Sequence, residues 1–477
     1  MKKFFISTIF FSFFQICKAV IPVSGPVQIN NNPWNPGGSN LWDLHGEILR
    51  FERGGIITGN GTIINGYIDA NYNQEIFDAG INIELKPYNM FFSACWFGSK
   101  AETGFDNSKS LQKAIITCIQ LKVPLFIPPL GVYSYSKPLM ITYGDTFEPV
   151  LGFHMYGGYR VGSAEALTTL EYTGTGSTWA LGMQHCKGVE INNLRITGQF
   201  IPPSTNNDNE FYLTQPENYR DENSLCNSDY TGIAIDPILF NPVPPGSTGL
   251  KIHDVSVTNF AVDFSISPAK SQNADILIFE NIHVADSKIG FLSGYAQSKG
   301  NVVRGLQSTG RMHTLISIGR SNRFESGFWN FDGGYVSGKC IRLADFKVNA
   351  WFPIKIKDYY CENLGSVGRM VDKGSSPPWN RPAIYFQGCN FDFVWTETQQ
   401  VILYTNSNLQ KFESCRFRYP THYGVSTFLY RTSIASRNGT IDYGLYNLRN
   451  CEFNCTLKFT PNFIFPDDDP VFIMGTD

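Results

Sequence analysis

The chain has little charge for its length. Lys and Arg number 38 and Asp and Glu 41 in 477 residues, so 17% are charged and the formal balance is only −3; an average soluble domain is about a quarter charged. That balance suggests neither a nucleic-acid partner nor a polybasic membrane patch. Beyond the N-terminus no apolar run approaches the roughly 20 residues that span a bilayer. No two cysteines stand two residues apart, which argues against a thiolate metal site. Helical periodicity is confined to one clear stretch.

What is present is a repeat. Aligned on the residue before an inward-facing position, the segments Asp254-Val255, Asn281-Ile282, Gly305-Leu306, Gly334-Tyr335, Tyr360-Cys361, Gly388-Cys389, Ser414-Cys415 and Asn450-Cys451 return every 24 to 29 residues, and after 36 at the last step. Such a period means a solenoid, a propeller or an array. After each anchor come a short strand, a turn residue (Asn259, Asp286, Gly310, Gly338, Gly365) and a second strand with residues two apart: Val262/Phe264, Ile289/Phe291, His313/Leu315, Ile341/Leu343 and Gly368/Met370. Period-two burial means strands, and the turn residues tolerate a left-handed backbone. A propeller blade needs about four strands in 40 to 50 residues, which these periods cannot hold. Stacked parallel coils follow, and a stack can exceed ordinary domain size as one unit. The 38 Phe supply its interior.

At the N-terminus Lys2 and Lys3 precede an apolar stretch, Phe4 to Cys17, then Lys18-Ala19. This is the pattern of an export signal over 1–19, too short to span a membrane; Phe14-Gln15-Ile16 is a poor approach to a lipidated Cys17. The expected location is exported: periplasmic, cell-surface or secreted. Export permits disulfides, yet Cys389, Cys415 and Cys451 occupy the repeat position of Val255 and Ile282 and are expected as free interior thiols. Cys451/Cys455 and Cys340/Cys361 are the candidate bridges.

Residues 20–95 alternate strands with Gly and Asn turns and read as a small β-rich leader; Gly59, Gly61 and Gly66 open no helix, so they are turns rather than a phosphate loop. The helix spans about 107–120, capped by Asp106 or Ser108, with Leu111, Ala114, Ile115, Cys118 and Ile119 on one face. Placed before the first coil of a domain covering 96–477, it covers an otherwise open end.

Trp96-Phe97-Gly98-Ser99-Lys100, then Asp106 to Ile115, then Ile127-Pro128-Pro129-Leu130-Gly131-Val132-Tyr133 resemble the opening of the pectate-lyase superfamily, and the leader from Leu49 to Asp78 resembles that of secreted Bacteroidetes members. The resemblance implies an all-β fold: a single-stranded right-handed parallel β-helix with an N-terminal capping α-helix and a small β-structured leader. It implies a bacterial source and a polysaccharide partner, with a monomer or homotrimer both open. The chain departs from the family at Asp106-Asn107 and at Ala101 to Gly104, where the family has paired Asp and a Gly-Asp-Gly-like stretch. It also lacks the Asn-Thr-Asp, Gly-His-Gly and Arg-x-Lys elements of polygalacturonases and the Trp-Ile-Asp-His element of calcium pectate lyases, so no catalytic residue carries over.

The repeat register supplies candidates instead. Counted from the turn residues, Arg342 falls over Arg369, with Asp263, Gly290 and Thr314 earlier in that column. Asp345 falls over Asp372, with Ser317 before it, and Lys339 over Arg311. Strands in neighbouring coils lie about 4.8 Å apart, so each column is a constellation. A lyase acting on a uronate polymer must neutralise the sugar carboxylate and remove the C5 proton. Arg342 and Arg369 are the candidate carboxylate binders, Lys339 and His313 the candidate bases, and Asp345 with Asp372 the candidate Ca²⁺ ligands. For a glycoside hydrolase the same aspartates become acid and nucleophile or base. A salt-bridged surface and a buried structural His313 are the bland alternatives, and a non-catalytic glycan-binding or adhesion protein is a third function. Trp329, Trp351, Trp379 and Trp395 are candidate sugar platforms. A long loop, about 200–249, walls one side of the proposed groove, and Trp379 and Arg381 join Arg311 as substrate-binding candidates.

Overall fold

The computed structural model describes residues 19–31, 38–144, 148–158, 168–176, 178–201, 230–237, 246–266, 274–293, 299–319, 328–348, 353–372, 384–393, 401–405, 410–418, 426–431, 447–453, 457–459 and 474–475. The export signal, most of the 200–249 loop, and Trp351, Trp379, Arg381, Trp395 and Cys455 lie outside them. The expectation of an all-β chain holds: among the described residues one α-helix accompanies many strands, and every strand pairing is parallel.

Three ladders run side by side, and inward-facing residues stack from coil to coil in each. In the first, Met155, Ile191, Ile252, Phe279, Val303, Phe331, Ile356, Phe386 and Phe412 are successive Cα partners. In the second, Ile196, Val257, Val284, Ser308, Val336, Cys361, Phe391 and Phe417 follow one another. In the third the column is Leu139, Leu181, Ile233, Phe264, Phe291, Ile316, Ala344, Gly368 and Leu403. Stacking like on like lets rings pair: Phe386 and Phe412 lie 4.7 Å apart at 8°, a contact worth about 0.5–1.5 kcal/mol beyond the area it buries.

The corners explain the repeat. Between the first and second ladders each coil turns at one residue with φ of 52° to 65°: Asn193, Asp254, Asn281, Gly305, Gly333, Asp358, Gly388, Ser414 and Asn450. Only Gly, or short polar residues that bond locally, take this backbone at low cost. Six anchors expected from sequence are these bends; the other two fall one and two residues away, at Gly333 and Asp358. Neighbouring bends also bond, Asn281 Nδ2 donating to Asp254 Oδ1 at 3.0 Å. The next corner uses Asn259, Asp286, Gly310 and Asn363; of the expected turn residues Gly338 is not left-handed, and Asn363 takes the place of Gly365.

The helix spans Ser108–Leu121. The N-cap residue is Asn107, which makes no side-chain cap bond, while the expected Asp106, one residue earlier, accepts from Ser108 N through Oδ1 at 3.0 Å; Lys122 ends the helix in the left-handed conformation. Its face of Leu111, Ala114, Ile115, Cys118 and Ile119 is buried. Gln112 extends the strand Leu139–Ile141, donating to Met140 O and accepting from Met140 N. Before the helix, strands Val20–Val23, Leu41–Asp43, Ile48–Phe51, Gly61–Asp69 and Ile81–Pro87 make a separate five-stranded parallel sheet. Lys113 Nζ ties it to the helix through Ala79 O at 2.7 Å and Ile81 O at 2.6 Å. One apolar core runs from Ile21 in this sheet to Cys451 in the coils.

The eight described cysteines are all buried and unbonded. Cys389, Cys415 and Cys451 are therefore interior thiols, and Cys340 and Cys361 form no bridge. Trp329 is fully buried, stacked on Phe331 at 5.8 Å, and is core rather than a sugar platform. Among the described residues no helix is long and apolar enough to cross a membrane.

Candidate functional site

The expected charge columns are only partly present. Lys339 does pair with Arg311, and Arg342 with Thr314. The next coil differs: Arg342 is opposite Ser366, Asp345 is opposite Arg369, and Asp372 is opposite Val348. Arg342 therefore does not lie over Arg369, nor Asp345 over Asp372, and the pair of carboxylates proposed for Ca²⁺ or for hydrolysis is parted by three residues. The bend at Asn363, two residues ahead of Gly365, accounts for two of those three residues by starting the next strand early. The earlier members shift as well. Val262 and Ile289, not Asp263 and Gly290, precede Thr314 in the Arg342 column.

Arg342 and Asp345 form an ion pair, Nη1 to Oδ2 at 3.7 Å, with side chains 5% and 6% exposed. His313 is also buried, and it leaves the column assigned to it, because Thr314 pairs with Ile289. Burial, with the charges of Arg342 and Lys288, lowers the His313 pKa to about 3. Arg342, Asp345 and His313 are thus all buried, with His313 neutral beside the ion pair. Arg369 and Asp372 are described in their backbone only. Among the described residues no group of three or more His, Cys, Asp or Glu side chains is placed to hold a metal.

The outward face of the first and second ladders is different. One column runs Tyr156, Asn192, His253, Glu280, Arg304, Asp332 and Lys357. Its second-ladder neighbour runs Arg195, Ser256, His283, Gln307, Tyr335 and Tyr360. His154, Glu190 and Lys251 flank them, Glu190 pairing with His154 below and Lys251 above. Both columns point outward because their strand neighbours, such as Ile252, Val255, Ile282 and Val284, fill the core.

These side chains are tightly connected. His253 sits between two carboxylates, Nε2 2.8 Å from Glu190 Oε1 and Nδ1 2.6 Å from Asp254 Oδ2. The Asn192 amide lies 3.0 Å from the same Nε2. Burial alone would raise the Glu190 carboxyl, but the His253 hydrogen bond and the charges of His154, His253 and Lys251 outweigh it and hold it below the usual range. Arg304 Nη1 meets Glu280 Oε1 at 2.8 Å. On the second ladder, His283 Nδ1 is 2.9 Å from Ser256 Oγ and Nε2 is 2.8 Å from Thr309 Oγ1. Its burial, reinforced by the Arg195 charge and opposed by Asp286, keeps its pKa below the ordinary histidine value, so the ring is neutral at neutral pH. Arg195 itself is exposed. Further along, Tyr335 and Tyr360 stack at 5.7 Å with rings 3° from parallel.

A neutral imidazole accepts a proton, an exposed guanidinium two coils away binds an anion, and the rows between offer hydrogen bonds to hydroxyls. The sequence did carry a signal for this face: Asn192, His253, Glu280 and Arg304 each immediately precede a left-handed bend residue, so a polar side chain recurs just before each corner.

No protein-family model and no curated protein matches the chain. Among solved structures it is similar to ORF18 of Geobacillus virus E2 (12% identity, TM-score 0.41), over 77% of this chain and 62% of that one. It is similar to the endo-xylogalacturonan hydrolase from Aspergillus tubingensis (11%, TM-score 0.43), over 79% of this chain and 98% of that one. It is similar also to a hyperthermoactive exopolygalacturonase from Thermotoga maritima (8%, TM-score 0.43), over 76% and 86%. The chain thus spans about three fifths of the viral protein's length. At these scores the likenesses do not bear on chemistry, which rests on the residues above.

Proposed function

We propose that the protein is exported and cleaves a uronate-containing polysaccharide by β-elimination on the outward face of its first and second ladders. In this reading the coils wind as a single-stranded right-handed parallel β-helix, with the helix Ser108–Leu121 as its N-terminal cap. One observation carries the reaction: a half-buried imidazole, His283, kept neutral, stands in the same outward column as the exposed Arg195 two coils below, about 10 Å along the stack.

Arg195 binds the uronate carboxylate, withdrawing charge so that the C5 proton becomes acidic, and Lys251 adds positive potential nearby. His283 takes that proton on the ring nitrogen that had accepted from a hydroxyl, of Ser256 or Thr309. The C–H electron pair becomes the C4–C5 double bond, the C4–O bond breaks, and the departing oxygen takes a proton from solvent. Asn192 and Glu190, held in place by His253, hydrogen-bond neighbouring sugar hydroxyls.

The decisive test is incubation of purified protein with a panel of uronate polymers while absorbance is followed near 235 nm. Unsaturated ends are expected, and they are lost in His283→Gln. Absence of signal from every polymer overturns the elimination reading. Reducing ends without unsaturation would move the assignment to hydrolysis, with Glu190 and Asp254 as the carboxylates to substitute. A second reading, a binding protein without catalysis, is favoured by the two hydroxyls that already engage both nitrogens of His283; retention on a glycan array with no product would establish it.

A further inference from the structure

The first coils carry an outward feature that the charged face does not use. Phe91, Phe126 and Tyr156 are half-buried and point away from the core, while their neighbours Phe92, Leu125, Ile127 and Met155 point in. Phe126 pairs with Tyr156, and Tyr156 with Asn192, so these rings begin the column that continues into His253. Ring centres lie 5.1 Å apart for Phe126 and Tyr156 and 5.2 Å for Phe91 and Phe126. Tyr72, from the leader sheet side, adds an edge contact to Phe126 at 5.9 Å and is itself 45% exposed; Ser93 Oγ holds its backbone by donating to Tyr72 O. At the other end His154 stacks on Tyr156 at 4.8 Å and pairs in register with Glu190.

We propose that this strip of Tyr72, Phe91, Phe126 and Tyr156 is a saccharide platform that binds pyranose units of the same polymer, N-terminal to the charged residues. The inference rests on the polysaccharide reading of the adjoining face. A pyranose ring presents apolar C–H faces and a rim of hydroxyls, the complement of partly exposed rings that run without a break into Asn192, Glu190 and His253. Continuity of the first-ladder column points to the occupant, because a chain that also meets Asn192 and Glu190 beside His253 and is laid along the stack passes over these rings.

Full-length protein is run through native gels cast with polygalacturonate, alginate or neutral xylan, and kinetics are measured on any polymer that is cleaved. Tyr72→Ala is expected to weaken retention and raise KM about five- to tenfold with kcat unchanged, and Tyr72→Trp to restore both. Tyr156→Ala is a second probe, with Tyr72 deciding if that variant fails to fold. His283→Gln is expected to retain the polymer and lose turnover. Wild-type retention and KM in Tyr72→Ala overturn the platform while leaving the cleavage site intact. Retention of the wild-type protein by none of the polymers overturns both.

Discussion

Asp345 stands directly opposite Arg369 on the next coil and forms an ion pair with Arg342 on its own strand. Where two acidic groups are expected to meet, Asp345 instead pairs with a base on its own strand, away from solvent. Breaking a buried pair leaves an uncompensated charge, typically at a cost of about 3–5 kcal/mol. Asp345→Asn should lower unfolding stability by about that amount in urea titrations, with the slope unchanged. A loss under about 1 kcal/mol would show that the pair is not structurally important.

His313 supplies a pH dependence. Its pKa falls to about 3 in the folded protein from 6.5 when unfolded, so the unfolded chain binds the proton more readily. Its neutral form is fully accommodated above pH 6.5, and stability is lost as pH falls from 6.5 toward 3, with a slope of up to about 1.4 kcal/mol per pH unit. Thermal melts of wild type and His313→Gln across that window should diverge, the variant being flatter by one proton. Parallel curves would contradict the burial argument.

The same reasoning applies to catalysis, with the charge of Arg195 as the variable. Arg195 helps depress His283. Removing it in Arg195→Gln should raise the His283 pKa and move the acid limb of kcat/KM to higher pH, in addition to raising KM. His283→Gln should lose about 10²- to 10⁴-fold in kcat. An unmoved acid limb in Arg195→Gln would separate the two residues.

Asn363 adopts φ 55°. Asn363→Ala forces a Cβ side chain without local hydrogen bonding into that conformation, at about 1–2 kcal/mol, whereas Asn363→Gly should be close to neutral. Equal melting temperatures for wild type and both variants would remove this bend as a determinant of register.

The stack itself was legible because its signal is repeated: a left-handed residue, then an inward apolar position, coil after coil. The helix was legible too, from its apolar face and from Asp106. Register was the weak point. Both Gly365 and Asn363 tolerate a left-handed backbone, and local sequence does not say which one turns; choosing the glycine accounts for two of the three residues by which Arg369 and Asp372 are displaced. Trp329 and His313 were ambiguous because large amphipathic side chains sit as readily in a core as at an edge. The polar face was missed because its residues differ in type from coil to coil. They share only a place before the bend, and columns searched for identical charges pass over Asn, His, Glu and Arg in succession.

The continuity of the core from Ile21 to Cys451, with Lys113 clasping two leader carbonyls, also has a bearing on biogenesis. Each coil pairs only with its immediate neighbours, so no segment waits for a distant partner. The leader sheet and helix are made first and cover one end of the core, beyond which later coils can be laid down in the order of synthesis. Such stepwise assembly keeps the growing end of the stack as the edge at which new strands pair, which limits the unpaired surface open to aggregation.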